Sequence, residues 1–200
     1  MDRSEVGVLD PAGVLERRGP WTVDDWRELD LGPSVHWRQV ELEHGTLVVS
    51  PTPEWQHDAA GSGLLAALLP QLPRGLRVVV PAGLALTRTL ARAPDLVVLR
   101  DTAAARGRQA LLPGDIMLAV EVESPSSRRR DRVDKHEEYA AAGIPAYWRV
   151  EHRVPRITAH ALRGDRYVEV ASVVGDEPLE LAAPFPLRVV PAELLGPPTG

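Results

Sequence analysis

The chain has 200 residues, a formal net charge of −5 and no cysteine. That length suits one domain with a sizeable core, and the lack of cysteine excludes disulfide frameworks, thiol nucleophiles and Cys-based zinc sites. The negative charge argues against a broad basic nucleic-acid surface. It does not argue against a nuclease, because metal-binding carboxylates themselves add negative charge.

The N-terminal stretch MDRSEVGVLDPAGVLERR lacks the continuous apolar segment of a signal peptide. The most apolar helical stretch, 63-GLLAALL-69, is too short to span a bilayer. The expected location is the cytoplasm, without membrane contact. Residues 1–20 read as a loosely ordered lead-in, 21–190 as a single domain and 191–200 as a tail.

In chain order, 22-TVDDWRELD-30 opens with Thr22 and Asp25, a capping pair for a short helix. The stretch 38-RQVELEHGTLVVSP-51 places two extended runs around His44-Gly45, the pattern of a β-hairpin. Glu54 to Leu69 reads as a helix stopped by Pro70 and Pro73. Extended runs follow at 76–87 (interrupted by Pro81), 95–100 and 116–123, with a loop at 101–115. A helix is expected over 127–142, N-capped by Ser127 and closed by Gly143 and Pro145. Three more extended runs lie at 146–151, 155–163 and 166–174. The proline-rich segment 175–200 is expected to be irregular, with one short helix near Pro191. Strands mixed with a few helices in one domain point to an α/β or α+β sheet with helices packed on it.

Three stretches carry candidate chemistry. In 95-DLVVLR-100 a run apolar on both faces marks a central strand, with Asp95 at its start. Taken alone, such an Asp is more often a turn residue. In 116-IMLAVEVE-123, alternation puts Ile116, Leu118, Val120 and Val122 on one face, and Met117, Ala119, Glu121 and Glu123 on the other. Two carboxylates on a covered face call for a cation, and oxygen-only ligands favour Mg²⁺ or Mn²⁺; a solvent-facing edge is the ordinary alternative. In the next helix, Asp131, Lys135 and Tyr139 are spaced four apart on one face. Lys135 is the single lysine beside 22 arginines, which hints at a task a guanidinium does not perform. The ordinary alternative is a surface ion pair with Asp131. Arg128, Arg129 and Arg130 form either a solvated helix face or a set of phosphate contacts.

The stretches 94-PDLVVL-99, 120-VEVESPSSRRRDRVDKHEEYAAAGIPAYWRVE-151 and 41-ELEHGTLVVSPTPEWQH-57 together resemble the Uma-type putative restriction endonuclease family. That family is part of the restriction-endonuclease-like, PD-(D/E)XK superfamily. The resemblance runs from about Trp21 to Val190. It implies a mixed central sheet flanked by helices, with additional β-hairpins. It also implies a Mg²⁺- or Mn²⁺-dependent endonuclease acting on nucleic acid, with DNA the expected substrate. Asp95 and Glu121 would hold the metal, with Glu41 a further acidic ligand. Nucleases of this fold often carry a lysine two residues after the strand glutamate. Here that position is Glu123, and the resemblance makes Lys135, on the following helix, the catalytic lysine. Glu123, His57 and Tyr139 would stand behind the site, and Arg128, Arg129 and Arg130 would meet nucleic acid. A homodimer is consistent with cutting two strands. The competing expectation is a non-catalytic binding or regulatory module that keeps the metal pocket.

Overall fold

The computed structural model describes residues 19–29, 40–80, 83–106, 111–124 and 127–196. Most of the expected lead-in, residues 1–18, lies outside the described residues, as does Pro81.

A six-stranded sheet forms the centre of the molecule. Its strands are β3 (Leu76–Val79), β6 (Leu96–Arg100), β7 (Ile116–Glu123), β8 (Ala146–Glu151), β9 (Arg156–Arg163) and β10 (Arg166–Val174), in the order β10-β9-β8-β7-β6-β3. All neighbours are antiparallel except β7 and β8. That parallel pair needs a crossover, which is supplied by the helical segment containing α3 (Lys135–Ala141). The mixed α/β sheet expected from the sequence is therefore present, and β7, β8 and β10 have the expected bounds.

Helices cover both faces of this sheet. On one, α2 (Trp55–Leu68) sets Ala60, Leu64 and Leu68 against Leu96, Val98, Leu118, Val120 and Trp148. On the other, Tyr139, Ala140 and Ile144 pack on Val97, Leu99, Ala119 and Tyr147. β6 is buried on both faces because its apolar run is continuous. In β7 the expected alternation holds for Leu118, Val120 and Val122, but Ile116 and Met117 exchange faces. The pairing runs Val98↔Leu118 and then Leu99↔Ile116, so Met117 is an extra residue, and the bulge reverses the alternation at that end.

A second, four-stranded sheet carries the upstream elements in the order β2-β1-β5-β4. Its strands are β1 (Val40–Glu43), β2 (Thr46–Val49), β4 (Leu84–Thr87) and β5 (Leu90–Arg92). The hairpin expected at His44-Gly45 forms, with φ of 48° and 84° at its two turn residues. The run expected over 76–87 divides between the two sheets, and β5 was not anticipated. Helix α1 (Val23–Arg27) has the expected Thr22–Asp25 capping box. It packs on this sheet through Val23 and Trp26, and the Trp26 indole donates to Val40 O at 2.8 Å.

The C-terminal segment is more regular than expected. β11 (Leu179–Leu181) and β12 (Leu187–Val189) form a hairpin, followed by a 3₁₀ turn over Pro191–Leu195. That turn lies so close to α2 that a Cβ on Gly63 would stand 2.0 Å from Leu194 O, so the position requires glycine.

After β7 the described helix begins at Arg128, directly after Ser127, whose carbonyl accepts from Asp131 N at 3.0 Å. Ser124 Oγ accepts from Ser127 N at 3.1 Å, and Ser127 Oγ accepts from Ser124 N at 3.0 Å. This reciprocal pair satisfies two donors at once. Arg128 N also donates to Ser124 O. Arg130–Asp134 is then a π-helical turn, with Lys135 N bonded to Arg130 O, before the chain tightens into α3.

Candidate active site

The end of β5, the start of β6, the end of β7 and the π-turn leading into α3 meet at one cleft of about 330 Å³. Its walls include Glu41, His57, Asp95, Glu121, Asp131 and Lys135. Each arrives there for a local reason. Asp95 precedes a buried strand, and its Oδ2 accepts from Val122 N at 2.8 Å, which ties the start of β6 to the end of β7. Glu121 points to the α3 side of β7 because it alternates with Val120 and Val122. Lys135 and Tyr139 are one helical turn apart and both reach Glu121.

Glu121 is buried, and both of its oxygens are bonded. Lys135 Nζ donates to Oε2 at 2.9 Å and Tyr139 Oη donates to Oε1 at 2.7 Å. The same ammonium stands 3.1 Å from Glu41 Oε1 and 3.6 Å from Asp131 Oδ1. The Asp131–Lys135 pair is thus buried, not the surface pair that spacing alone allowed. Neither oxygen of Asp131 has a hydrogen-bond partner.

These environments set the charges. Burial pushes the Glu121 pKa up to about 8; Lys135 opposes this, while Asp131, Asp95 and Glu41 add to it. Burial also raises Asp131. Burial would raise Glu41 too, but Lys135 and Arg92 outweigh it and hold that carboxyl at about 2. Burial pulls Lys135 down, yet Glu121, Glu41 and Asp131 overcome it, so the ammonium is kept charged.

His57 Nε2 lies 3.4 Å from Asp95 Oδ2, and Nδ1 lies 3.4 Å from Asp58 Oδ1. Burial lowers its pKa, but Asp95 and Asp58 raise it to about 9, so the ring is an imidazolium at neutral pH. Glu123, two residues beyond Glu121, does not reach this cluster. It accepts from Arg132 Nε and Arg149 Nη1, both at 2.9 Å, with Arg128 Nε 3.6 Å away. It is therefore neither exposed nor in contact with the ammonium; it pins the segment after β7 back onto β7 and β8. Of the arginine cluster, Arg128 meets Glu123, Arg130 lines the cleft 3.9 Å from Glu41 Oε2, and Arg129 is exposed.

Two contributors were not anticipated. Arg92, fully buried on β5, makes a two-pronged bond to Glu138 (2.7 and 2.6 Å) and reaches Glu41 Oε2 at 3.2 Å. Together with the Ala93 N–H at 3.1 Å from Glu41 Oε1, it fixes Glu41 in place. The available signal was an arginine inside the apolar run 90-LARAP-94. Asp131 is the other; its spacing to Lys135 was visible, but its burial was not.

For a divalent cation, the donor chemistry fits: the cleft offers carboxylate oxygens and no thiolate, as hard cations prefer. Asp131's unbonded oxygens add capacity. Among the described residues, no three His, Asp or Glu side chains stand grouped to hold an ion as they are placed. The point common to Glu41, Glu121 and Asp131 is taken by the Lys135 ammonium.

Comparison with known proteins bears on family and fold. The Uma2 family model, described as "Putative restriction endonuclease", matches residues 26–193. Among curated proteins, none matches the chain. The crystal structure of a putative nuclease belonging to DUF820 from Anabaena variabilis superposes with a TM-score of 0.63 at 17% identity, over 88% of this chain and 98% of that one. At that identity the likeness speaks for the fold. No helix among the described residues is long and apolar enough to cross a membrane.

Proposed function

This chain belongs to the Uma2 family of restriction-endonuclease-like proteins, and we propose that it is a divalent-metal-dependent nuclease that hydrolyses phosphodiester bonds, with DNA as its substrate. The observation that carries this reading is the meeting of Asp95, Glu121 and Lys135 at one cleft.

Asp95 and Glu121 would hold a Mg²⁺ or Mn²⁺ ion. When bound, such an ion lowers the pKa of water and withdraws charge from phosphoryl oxygens. The chain's own groups do the remaining work. Lys135 offsets the mutual repulsion of Glu41, Glu121 and Asp131 and so keeps them together. Glu41, held by Arg92 and Ala93, braces the ammonium from the far side. Tyr139 orients Glu121 through its hydroxyl. The His57 imidazolium and Arg130 present positive charge to an entering phosphate, and the exposed Arg128 and Arg129, its neighbours in the chain, would add further backbone contacts. Because binding is confined to this local charge, the overall negative charge of the chain is no obstacle. A dimer would bring two such clefts to two strands.

The test is cleavage of supercoiled plasmid, linear duplex, single-stranded DNA and RNA in Mg²⁺ or Mn²⁺, by the wild type and by Asp95→Asn. Metal-dependent cleavage that disappears in the variant supports the proposal. A wild-type protein that binds the metal and cuts none of the four substrates sinks it, and leaves a non-catalytic module on the same fold.

A further inference from the structure

We propose that Asp131 supplies the third carboxylate of the cation site, joining Asp95 and Glu121, and that Glu41 is a brace for Lys135 and not a ligand. The inference builds on the nuclease reading and extends it to a residue which that reading leaves without a role.

The argument counts hydrogen bonds at each carboxylate. Glu41 is fully engaged. Its Oε1 accepts from Ala93 N and Lys135 Nζ, both at 3.1 Å. Its Oε2 meets Arg92 at 3.2 Å and Arg130 at 3.9 Å. A cation would have to displace Ala93 N, Lys135 and Arg92 to use it, whereas at Glu121 it would exchange only Lys135 and Tyr139. Asp95 is different: its contacts with Val122 N and His57 both fall on Oδ2, and its side chain is 28% exposed at the cleft. Asp131 differs most. It is 1% exposed and lines the cleft, yet neither oxygen makes a hydrogen bond of normal geometry; the Ser127 side chain and the Lys135 charge only partly offset its burial. The Lys135 ammonium, at 3.6 Å, lies beyond hydrogen-bonding distance.

A buried carboxylate with no hydrogen bond is expensive, and folds retain one where a ligand completes it. The π-turn over Arg130–Asp134 is the device that presents Asp131 to the cleft; such turns recur at functional sites. Hard divalent cations take carboxylate oxygens, and Asp131 has two to offer.

The test is titration calorimetry of Mn²⁺ into the wild type, Asp131→Asn and Glu41→Gln. Asp131→Asn keeps the side-chain shape and is expected to weaken binding by at least about 100-fold, while Glu41→Gln, which acts only through Lys135, costs less, about tenfold. A second readout avoids variants: the side-chain carboxyl ¹³C resonance of Asp131 in the wild-type protein should move on addition of Mg²⁺. Unchanged Mn²⁺ affinity in Asp131→Asn, an unmoved Asp131 resonance at saturating Mg²⁺, or a wild type that binds neither ion overturns the proposal. Its failure is separable from that of the nuclease reading. Cleavage with undisturbed binding in Asp131→Asn removes only the role of Asp131. Cation binding that depends on Asp131, without any cleavage, keeps that role and removes the nuclease.

Discussion

Lys135 Nζ donates to Glu121 Oε2 at 2.9 Å across 14 residues of chain, and so fastens the start of α3 to the strand that precedes it. Both groups are buried, and Glu41 and Asp131 stand around the same ammonium. One positive charge therefore holds three carboxylates.

Removing that charge should be costly. Lys135→Met leaves buried carboxylates uncompensated and is expected to lower stability by about 3–5 kcal/mol in urea unfolding. Adding Glu121→Gln removes part of the repulsion and should recover on the order of 1–3 kcal/mol. Strict additivity of the two substitutions would show that the pair is not coupled.

Asp95 should separate activity from stability. In Asp95→Asn the amide oxygen can still accept from Val122 N, so the bond between β6 and β7 survives. Unfolding stability is expected to change by less than about 1 kcal/mol. Plasmid cleavage is expected to fall by about 100-fold or more, since even outer partners of a metal site cost 10–100-fold. A variant that cuts as the wild type does would remove Asp95 from the site.

Arg92 makes the opposite case, that of a residue needed for architecture. Its buried guanidinium serves Glu138, Glu41 and Glu43 together. Arg92→Met should cost about 3–5 kcal/mol by leaving these carboxylates unpaired. Arg92→Lys should rescue little of this, because an ammonium does not reproduce the two-pronged bond to Glu138. Full stability in Arg92→Lys would show that charge alone matters.

The fold should also weaken in mild acid through His160. This ring is buried beside His136 (centroids 5.0 Å apart), Tyr147 and Tyr167. Burial, with Arg149 and His136, lowers its pKa from 6.5 to about 4. The unfolded chain takes up the proton first, so stability is complete above pH 6.5 and declines as pH falls toward 4. At pH 5 the loss from this group is on the order of 2 kcal/mol. Thermal melts of the wild type and His160→Phe between pH 5 and 8 should show a steeper acid decline in the wild type. Parallel curves would assign the decline to other groups, His136 among them, whose pKa burial also lowers.

The order of elements and several bounds were legible in the sequence because periodicity and punctuation are local. The apolar run of β6, the alternation of β7 and the His44-Gly45 turn each carry their own signal. The reciprocal bonds between Ser124 and Ser127 were not legible, because two good capping residues in a sequence do not say how their side chains pair. The bulge at Met117 was invisible because nothing in an apolar pair such as Ile116-Met117 says which residue is extra.

By itself, the sequence determined that Glu121 and Glu123 alternate with valines on one strand. It also determined that Asp131, Lys135 and Tyr139 share a helical face, since backbone geometry alone places residues two apart on a strand and four apart on a helix. Only the tertiary structure decided what each side chain meets. It turned Glu123 to three arginines and Glu121 to Lys135 and Tyr139. It also brought Glu41 and Arg92 in from a second sheet and buried Asp131 without a hydrogen bond. Those outcomes depend on how strands distant in the chain pack and exclude water, and desolvation together with neighbouring charge decides which carboxylates are bound and which remain open to a ligand.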